Sequence, residues 1–403
     1  MLGVWMWPES IRRRGAEVVF EACLRAGVTD VFFLTKGLSG TTAFPSPFSD
    51  GQDRLRDALD AAHRRGMRLH AWFTSASDAR YKGEHPESGL YHYRDGRNRD
   101  IVSLSCQPYV RFMQELIAGM LRRYEVDGVH LDYIRYNHLI YGWSEEDQRR
   151  YEADGVDLPH IRALMDKTFC GESPDREAIF QAYRQGDQDA LRLAATRRRD
   201  VTRFAAALCQ AVRAERPEAT LSAALMPEGA YDDLAFANLH YGQNYEDLAP
   251  LMDLFLPMAY SRAYGMDDAW VRQVTRGTVR WGVPTLTGVH AYDGATAQTL
   301  ARDMAAVRSE TDAAGACLFR EGAAAWAFVD GKRLTLLNPL DKPVTACLIE
   351  GAEGRQAIST PVETDAQREF LLPFQPDAVQ ALAGQDEVCT LVVKESRCRP
   401  AMS

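Results

Sequence analysis

DGVHLDYIRY, residues 127–136, is the stretch on which the reading of this chain turns. Val129 and Leu131 alternate with His130 and Asp132 at the two-residue period of a strand. Alternation places His130 and Asp132 on one side with Val126 and Gly128, and Val129 and Leu131 on the other. The strand then runs straight into Tyr133, Ile134, Arg135 and Tyr136. A buried strand that delivers a carboxylate, a guanidinium and two phenols at its C-terminal end suits a (β/α)₈ barrel. In that fold the C-terminal ends of the strands face the active site.

The surrounding sequence keeps the same rhythm. GVWMW opens the chain as a first strand, and a helix is predicted from Pro8–Glu9 to Ala26, stopped by Gly27. VTDVFFLT (28–35) and MRLHAWFT (67–74) read as the second and third strands, rich in β-branched and aromatic residues. Between them Leu55, Ala58, Leu59 and Ala62 have the spacing of one buried helix face. DGVHLDYI is the fourth strand, followed by ATLSAALM (219–226), LFLPMAY (254–260), VPTLTGVHA (283–291) and GACLF (315–319). Strand–helix alternation of this length predicts a TIM barrel over residues 1–322. A doubly wound sheet is the alternative, but no GxGxxG loop follows the first strand.

Two departures from a bare barrel are expected. The connection between the fourth and fifth strands is far longer than an ordinary βα loop, and its polar, helix-prone part at about 137–200 reads as an insertion forming a lid or wall of the cleft. After Gly322 the pattern changes to alternating runs around Asp-Gly and Asn-Pro turns, so residues 323–403 are predicted to form a small all-β, sandwich-like domain.

Composition excludes several classes. The formal net charge of −9 argues against nucleic acid as the main partner. No apolar run approaches the ~18 residues of a membrane span. MLGVWMWPES lacks the flank and cleavage site of a signal peptide and reads as a strand. A cytoplasmic protein is therefore expected, or a secreted or periplasmic one if a leader has been removed. The 8 cysteines are scattered without a CxxC pair, as reduced thiols would be. The first strand shows no HxH or His/Asp cluster, and neither metal nor cofactor is expected.

DGVHLDYIRY resembles the fourth-strand signature of glycoside-hydrolase-like (β/α)₈ proteins of the family 10-like (DUF187-like) type. HAWF at the third strand, YGQNYEDLAPLMDLFLPMAY through the sixth and GACLFREG at the eighth agree with it. The resemblance covers most of residues 1–322. It implies cleavage of glycosidic bonds in an oligosaccharide or polysaccharide by strand-end carboxylates. The chitinase-like run DxxDxDxE fits less well. Asp127 and Asp132 match it, but His130 stands at the middle Asp and Ile134 at the catalytic Glu.

Glycoside hydrolysis needs two carboxyl groups, one protonated and one ionised. Asp132 is the first candidate. Glu228, in LMPEG after the fifth strand, is the expected partner, with Glu321 in LFREG as the second choice. Trp5, Trp7, Trp72 and Tyr260 offer flat faces for sugar rings. Lys36, His130, Arg135 and His290 could hold hydroxyls or a carboxylate, and Glu321 is counted with this binding group. Each has a plainer alternative: core aromatics, satisfied buried histidines, solvated loop acids, or a cap or Arg135 salt bridge for Asp132. Gln243 and Asn244 read as a turn feeding the sixth strand. The competing function is a carbohydrate-binding barrel without catalysis.

Overall fold

The computed structural model describes residues 1–395, apart from 97, 171, 293 and 360 and the side chains of 98–100. Eight parallel strands form one sheet: β1 (Leu2–Met6), β2 (Asp30–Lys36), β3 (Arg68–Thr74), β4 (Gly128–Asp132), β5 (Thr220–Leu225), β6 (Leu254–Pro257), β7 (Leu286–His290) and β8 (Gly315–Phe319). Their order is β6-β5-β4-β3-β2-β1-β8-β7. Parallel bridges Phe255–Thr285 and Met258–Gly288 bring β6 to β7 and close the ring. The protein is a TIM barrel.

The boundaries differ from the sequence reading in instructive places. The first helix is two, α1 (Pro8–Arg14) and α2 (Ala16–Arg25), because Gly15 adopts φ 78° between them. The sixth strand stops at Pro257, although the Met258 N–H still donates to Leu225 O at 2.8 Å. The seventh begins only at Leu286.

Alternation sorts the strand residues as expected. Val129 and Leu131 join the large core shared with the helices. Trp5, Phe32, Trp72, Leu254, Leu256, Leu286 and Cys317 fill the barrel interior. Gly128 is required at the bottom of β4, since a Cβ there would sit 2.3 Å from His70 Nδ1. Asp127, just before it, accepts from the Leu69 amide at 2.8 Å and pairs with His63 at 2.9 Å. Asp253 does the same before β6, accepting from the Leu221 amide at 2.8 Å. Both acids tie the bottom of the barrel.

The long β4–β5 connection contains three helices, α3 (Glu145–Ala153), α4 (Leu158–Phe169) and α5 (Ala178–Arg184), and leads into α6 (Gln188–Glu215). They enclose a second hydrophobic cluster that includes Trp143, Tyr151, Ile161, Ile179 and Leu193. Arg197 on α6 is fully buried. It donates to Tyr141 O at 3.0 Å and to His138 O and His240 O at 3.2 Å each, with its guanidinium 3.7 Å from the Tyr136 ring. The segment is therefore clamped to the loop that follows Asp132.

Beyond the barrel, β9 (Ala325–Asp330) and β10 (Arg333–Asn338) form the hairpin expected at the Asp-Gly turn. They belong to one of two four-stranded sheets, whose inward residues, among them Val329, Leu336, Ile349 and Val379, share a further core. One pairing is parallel, between β9 and the strand Thr390–Lys394. The seven cysteines among the described residues are free, and Cys398 lies outside them. Among the described residues no helix is long and apolar enough to cross a membrane.

Candidate active site

Asp132 is the last residue of β4, and the backbone turns sharply after it. Tyr133 takes φ 55°, a left-handed conformation uncommon for a bulky side chain. Held so, the Tyr133 amide donates to Asp132 Oδ1 at 2.7 Å, while Trp72 Nε1 from the end of β3 donates to Oδ2 at 3.1 Å. Both carboxylate oxygens thus receive an N–H. Burial pushes the carboxyl above its ordinary value, while nearby Arg135 and the two donors pull it back. Among the described residues Asp132 neither caps a helix nor lies within ion-pair distance of Arg135.

A cavity of about 240 Å³ opens over Asp132. Trp7, Trp72, Arg135 and Tyr260 line it, as the sequence led one to expect, together with Tyr133, Tyr292, Phe319 and Leu34. Half of the lining residues are aromatic, which suits the apolar faces of sugar rings. Tyr292 and Phe319 escaped the sequence reading. Phe319 is the last residue of β8 and Tyr292 lies two beyond β7, so strand-end position was the signal available for both.

The remaining expected ligands lie elsewhere, for definite reasons. Trp5 is 1% exposed in the barrel interior, where its Nε1 donates to His130 Nε2 at 3.0 Å. An indole N–H only donates, so His130 Nε2 accepts, and Nδ1 is left to donate to Ser222 Oγ at 2.9 Å. Burial holds His130 well below its ordinary pKa, so the ring is neutral. Lys36 is also fully buried. A register shift between Leu34 and Lys36 turns it out of the barrel, where it pairs with Asp78 at 3.2 Å and donates to Thr74 O and Ser77 O. Glu321 forms a buried ion pair with Arg14 of α1, away from the cavity. His290 is 1% exposed, its ring 5.4 Å from Tyr260 and 4.9 Å from Tyr292.

Glu228 sits on a 3₁₀ turn, Pro227–Ala230, directly after β5. The turn packs so closely that a Cβ at Gly229 would fall 2.3 Å from the Tyr245 ring. Burial pushes the Glu228 carboxyl up to about 7, opposed by its own backbone N–H, by Arg135 and by Tyr264. Oε2 has no hydrogen-bond partner among the described residues. Glu228 does not line the Asp132 cavity. Arg135 lines the Asp132 cavity, and its charge acts on both carboxyls.

Gln243 carries a larger part than its sequence suggested. It is buried, and its Oε1 accepts from the Met226 amide at 2.7 Å, just before the Glu228 turn. Its Nε2 donates to Ile134 O at 3.4 Å, just after Asp132, and to Ala224 O at 3.5 Å. Nothing in a GQN turn announces such a brace. On the insertion, His160, Asp187 and Asp189 bring potential ligand atoms within 4.8 Å of one another. His160 is already paired with Asp187 at 2.8 Å, and Asp187 also caps α6.

Comparison with known proteins identifies this architecture. Residues 38–275 match the family described as glycosyl hydrolase-like 10. The chain belongs to that family. Glycosyl hydrolase DigH of Escherichia coli K12 is 31% identical over 137 residues, 27% of this chain and 31% of that protein, so the chain spans well under half of its curated relative. Among solved structures, the PgaB (BpsB) glycoside hydrolase domain from Bordetella bronchiseptica superposes with a TM-score of 0.63 at 16% identity, covering 79% of this chain and 93% of that one. A beta-galactosidase from the psychrophilic Marinomonas ef1 superposes with a TM-score of 0.59 at 13% identity, covering 79% and 54%. At those identities the likeness is one of fold. For this glycosyl hydrolase-like 10 member, activity has to be argued from its own residues.

Proposed function

We propose that the protein is a glycoside hydrolase acting on an oligosaccharide or polysaccharide, with Asp132 and Glu228 as its two carboxyl groups. The supporting observation is the difference between their surroundings. Asp132 receives two N–H donors, which favour its ionised form. Glu228 has a free buried oxygen and a carboxyl raised to about 7, which favours its protonated form. One acid and one base held apart in this way are what glycoside cleavage requires. Asp132 then acts as nucleophile or base and Glu228 as the proton donor to the leaving oxygen. Trp7, Trp72 and Tyr260 hold the sugar, and Arg135 binds it between the carboxyls. The barrel of residues 1–322 is the catalytic unit, the 137–200 insertion supports the loop after Asp132, and residues 323–403 form an accessory domain.

A second reading, a carbohydrate-binding barrel without turnover, is favoured by one feature: Glu228 does not line the Asp132 cavity. Reducing-sugar release from a polysaccharide panel, run beside Asp132→Asn and Glu228→Gln, separates the two. Turnover lost in both variants supports the two-carboxyl mechanism. Saccharide binding without turnover in the unmodified protein selects the second reading.

A further inference from the structure

A second cavity, of about 400 Å³, lies where the barrel meets the C-terminal sheets. Trp7, Tyr292 and Arg320 line it from the barrel, and Asp341, Lys342 and Glu387 from the sheets. It is continuous with the Asp132 site in its walls, since Trp7 and Tyr292 line both cavities.

The charges around it are largely committed to one another. Arg13 pairs with Asp365 at 2.8 Å, Arg14 with Glu321, and Glu9 with Arg12. Glu387 accepts from the Ala297 amide at 3.2 Å. Arg320 and Lys342 are the lining cations without an ion pair among the described residues, and of the two Arg320 is the one held in place. Its guanidinium lies 3.6 Å over the Trp7 ring and donates to the Glu321 carbonyl at 3.3 Å. No carboxylate among the described residues lies within ion-pair distance of it. Stacking fixes the plane of the fork without occupying all its N–H groups. A half-buried, pre-oriented guanidinium with donors to spare matches a carboxylate in a way that a flexible lysine does not.

We propose that this cavity is a second saccharide subsite, and that it takes a sugar bearing a carboxylate, of the uronic acid type, with Arg320 as the anion partner. The proposal rests on the carbohydrate reading of the Asp132 site and adds a substrate class to it. A glycan lying across Trp7 would reach both cavities, so the C-terminal sheets form one wall of the binding surface. The chain's overall charge of −9 disfavours acidic glycans in general, which makes selectivity depend on local cations, Arg320 first and Lys342 beside it.

Binding can be tested without turnover. In an Asp132→Asn background, tetragalacturonate and a hyaluronan tetrasaccharide would be compared with cellotetraose and chitotetraose by titration calorimetry. The acidic sugars are expected to bind about tenfold tighter or better, the worth of a charge-assisted hydrogen bond pair. Arg320→Gln should erase that preference and leave the neutral sugars unaffected, while Arg320→Lys keeps part of it. If Arg320→Gln does not fold, the Lys variant decides: retention of the full preference overturns the role of the guanidinium. Equal binding of acidic and neutral sugars overturns the subsite, as does a loss shared by both classes or no binding of the acidic ones. Hydrolysis of neutral glycans alone would leave the hydrolase reading standing and this one refuted. Selective binding of acidic sugars without hydrolysis would do the reverse.

Discussion

The Gln243 side chain accepts a hydrogen bond from the Met226 amide at 2.7 Å, and through its other end reaches the carbonyl of Ile134. One buried amide therefore links the loop after Asp132 to the turn that carries Glu228. Tyr245 adds to the link by donating its hydroxyl to Met226 O at 2.7 Å, and Tyr136 N–H donates to Tyr241 O at 2.9 Å. The relative position of the two carboxyls depends on this segment.

Replacing Gln243 by Leu leaves an amide and two carbonyls short of partners, at a cost of about 1–3 kcal/mol. Gln243→Glu keeps the acceptor but turns a carboxylate toward two carbonyls, and should be worse. We expect both to lower the melting temperature and to reduce kcat by more than they raise KM. Unfolding curves and steady-state kinetics check this. A wild-type kcat in a folded Gln243→Leu protein would show that the brace does not position the carboxyls.

Asp132→Asn preserves volume and can still face Trp72, but it cannot ionise. Turnover should fall by at least about a hundredfold, the usual contribution of a positioned proton-transferring or charged group, with little loss of stability. Circular dichroism and sugar release measured together give the answer. Near-normal turnover would remove Asp132 from the mechanism.

Glu228 makes a prediction about stability as well as rate. Its folded pKa of about 7 lies above the ordinary 4.5, so between those values the folded state binds more protons than the unfolded one. Stability contributed by this group therefore falls as pH rises from 4.5 to 7, and the penalty is complete above 7. A shift of this size corresponds to on the order of 3 kcal/mol. Glu228→Gln should remove the slope and be more stable than the wild type at pH 8, while losing activity. Denaturant melts across the pH range test it; parallel wild-type and variant profiles would count against a raised Glu228.

The sequence made the barrel legible because it is written in local terms: apolar strands, helix faces, and turn residues between them. Asp132, Trp7, Trp72, Arg135 and Tyr260 were legible for the same reason, being near strand ends on the inward side. Lys36 was misread because a register shift at its strand end reverses the side, and nothing in FFLTK signals it. Trp5 and His130 point inward but lie one layer too low, satisfying each other at 3.0 Å. Glu321 was drawn away by Arg14, a partner more than 300 residues distant. The role of Gln243 depends on three segments meeting, which no local pattern encodes.

The insertion yields a further expectation. Among the described residues none between 137 and 200 lines the Asp132 cavity, so the segment acts from behind rather than as a wall. Arg197 is its anchor. Arg197→Met removes donors to three backbone carbonyls while keeping most of the bulk, and should destabilise by about 2–4 kcal/mol. Hydrogen exchange should show the loss in 136–143 and at 237–241 before it appears in the β1–β3 strands. Uniform loss of protection would mean that the segment folds only as part of the whole barrel.

The last expectation concerns the N–H donors that favour the ionised form of Asp132. Trp72 contributes both a flat face to the cavity and the N–H that meets Asp132 Oδ2 at 3.1 Å. Trp72→Phe keeps an aromatic face and deletes the donor. A hydrogen bond to a charged group is worth about 1.5–3 kcal/mol, or roughly one to two pH units. Losing a donor to the carboxylate raises its pKa, so the acidic limb of the kcat/KM profile should move upward by about that much. The basic limb, set by Glu228, should stay near 7. If the acidic limb stays in place while the basic limb moves, the two carboxyls have exchanged roles. Asp132 would then be the proton donor and Glu228 the group that must be ionised.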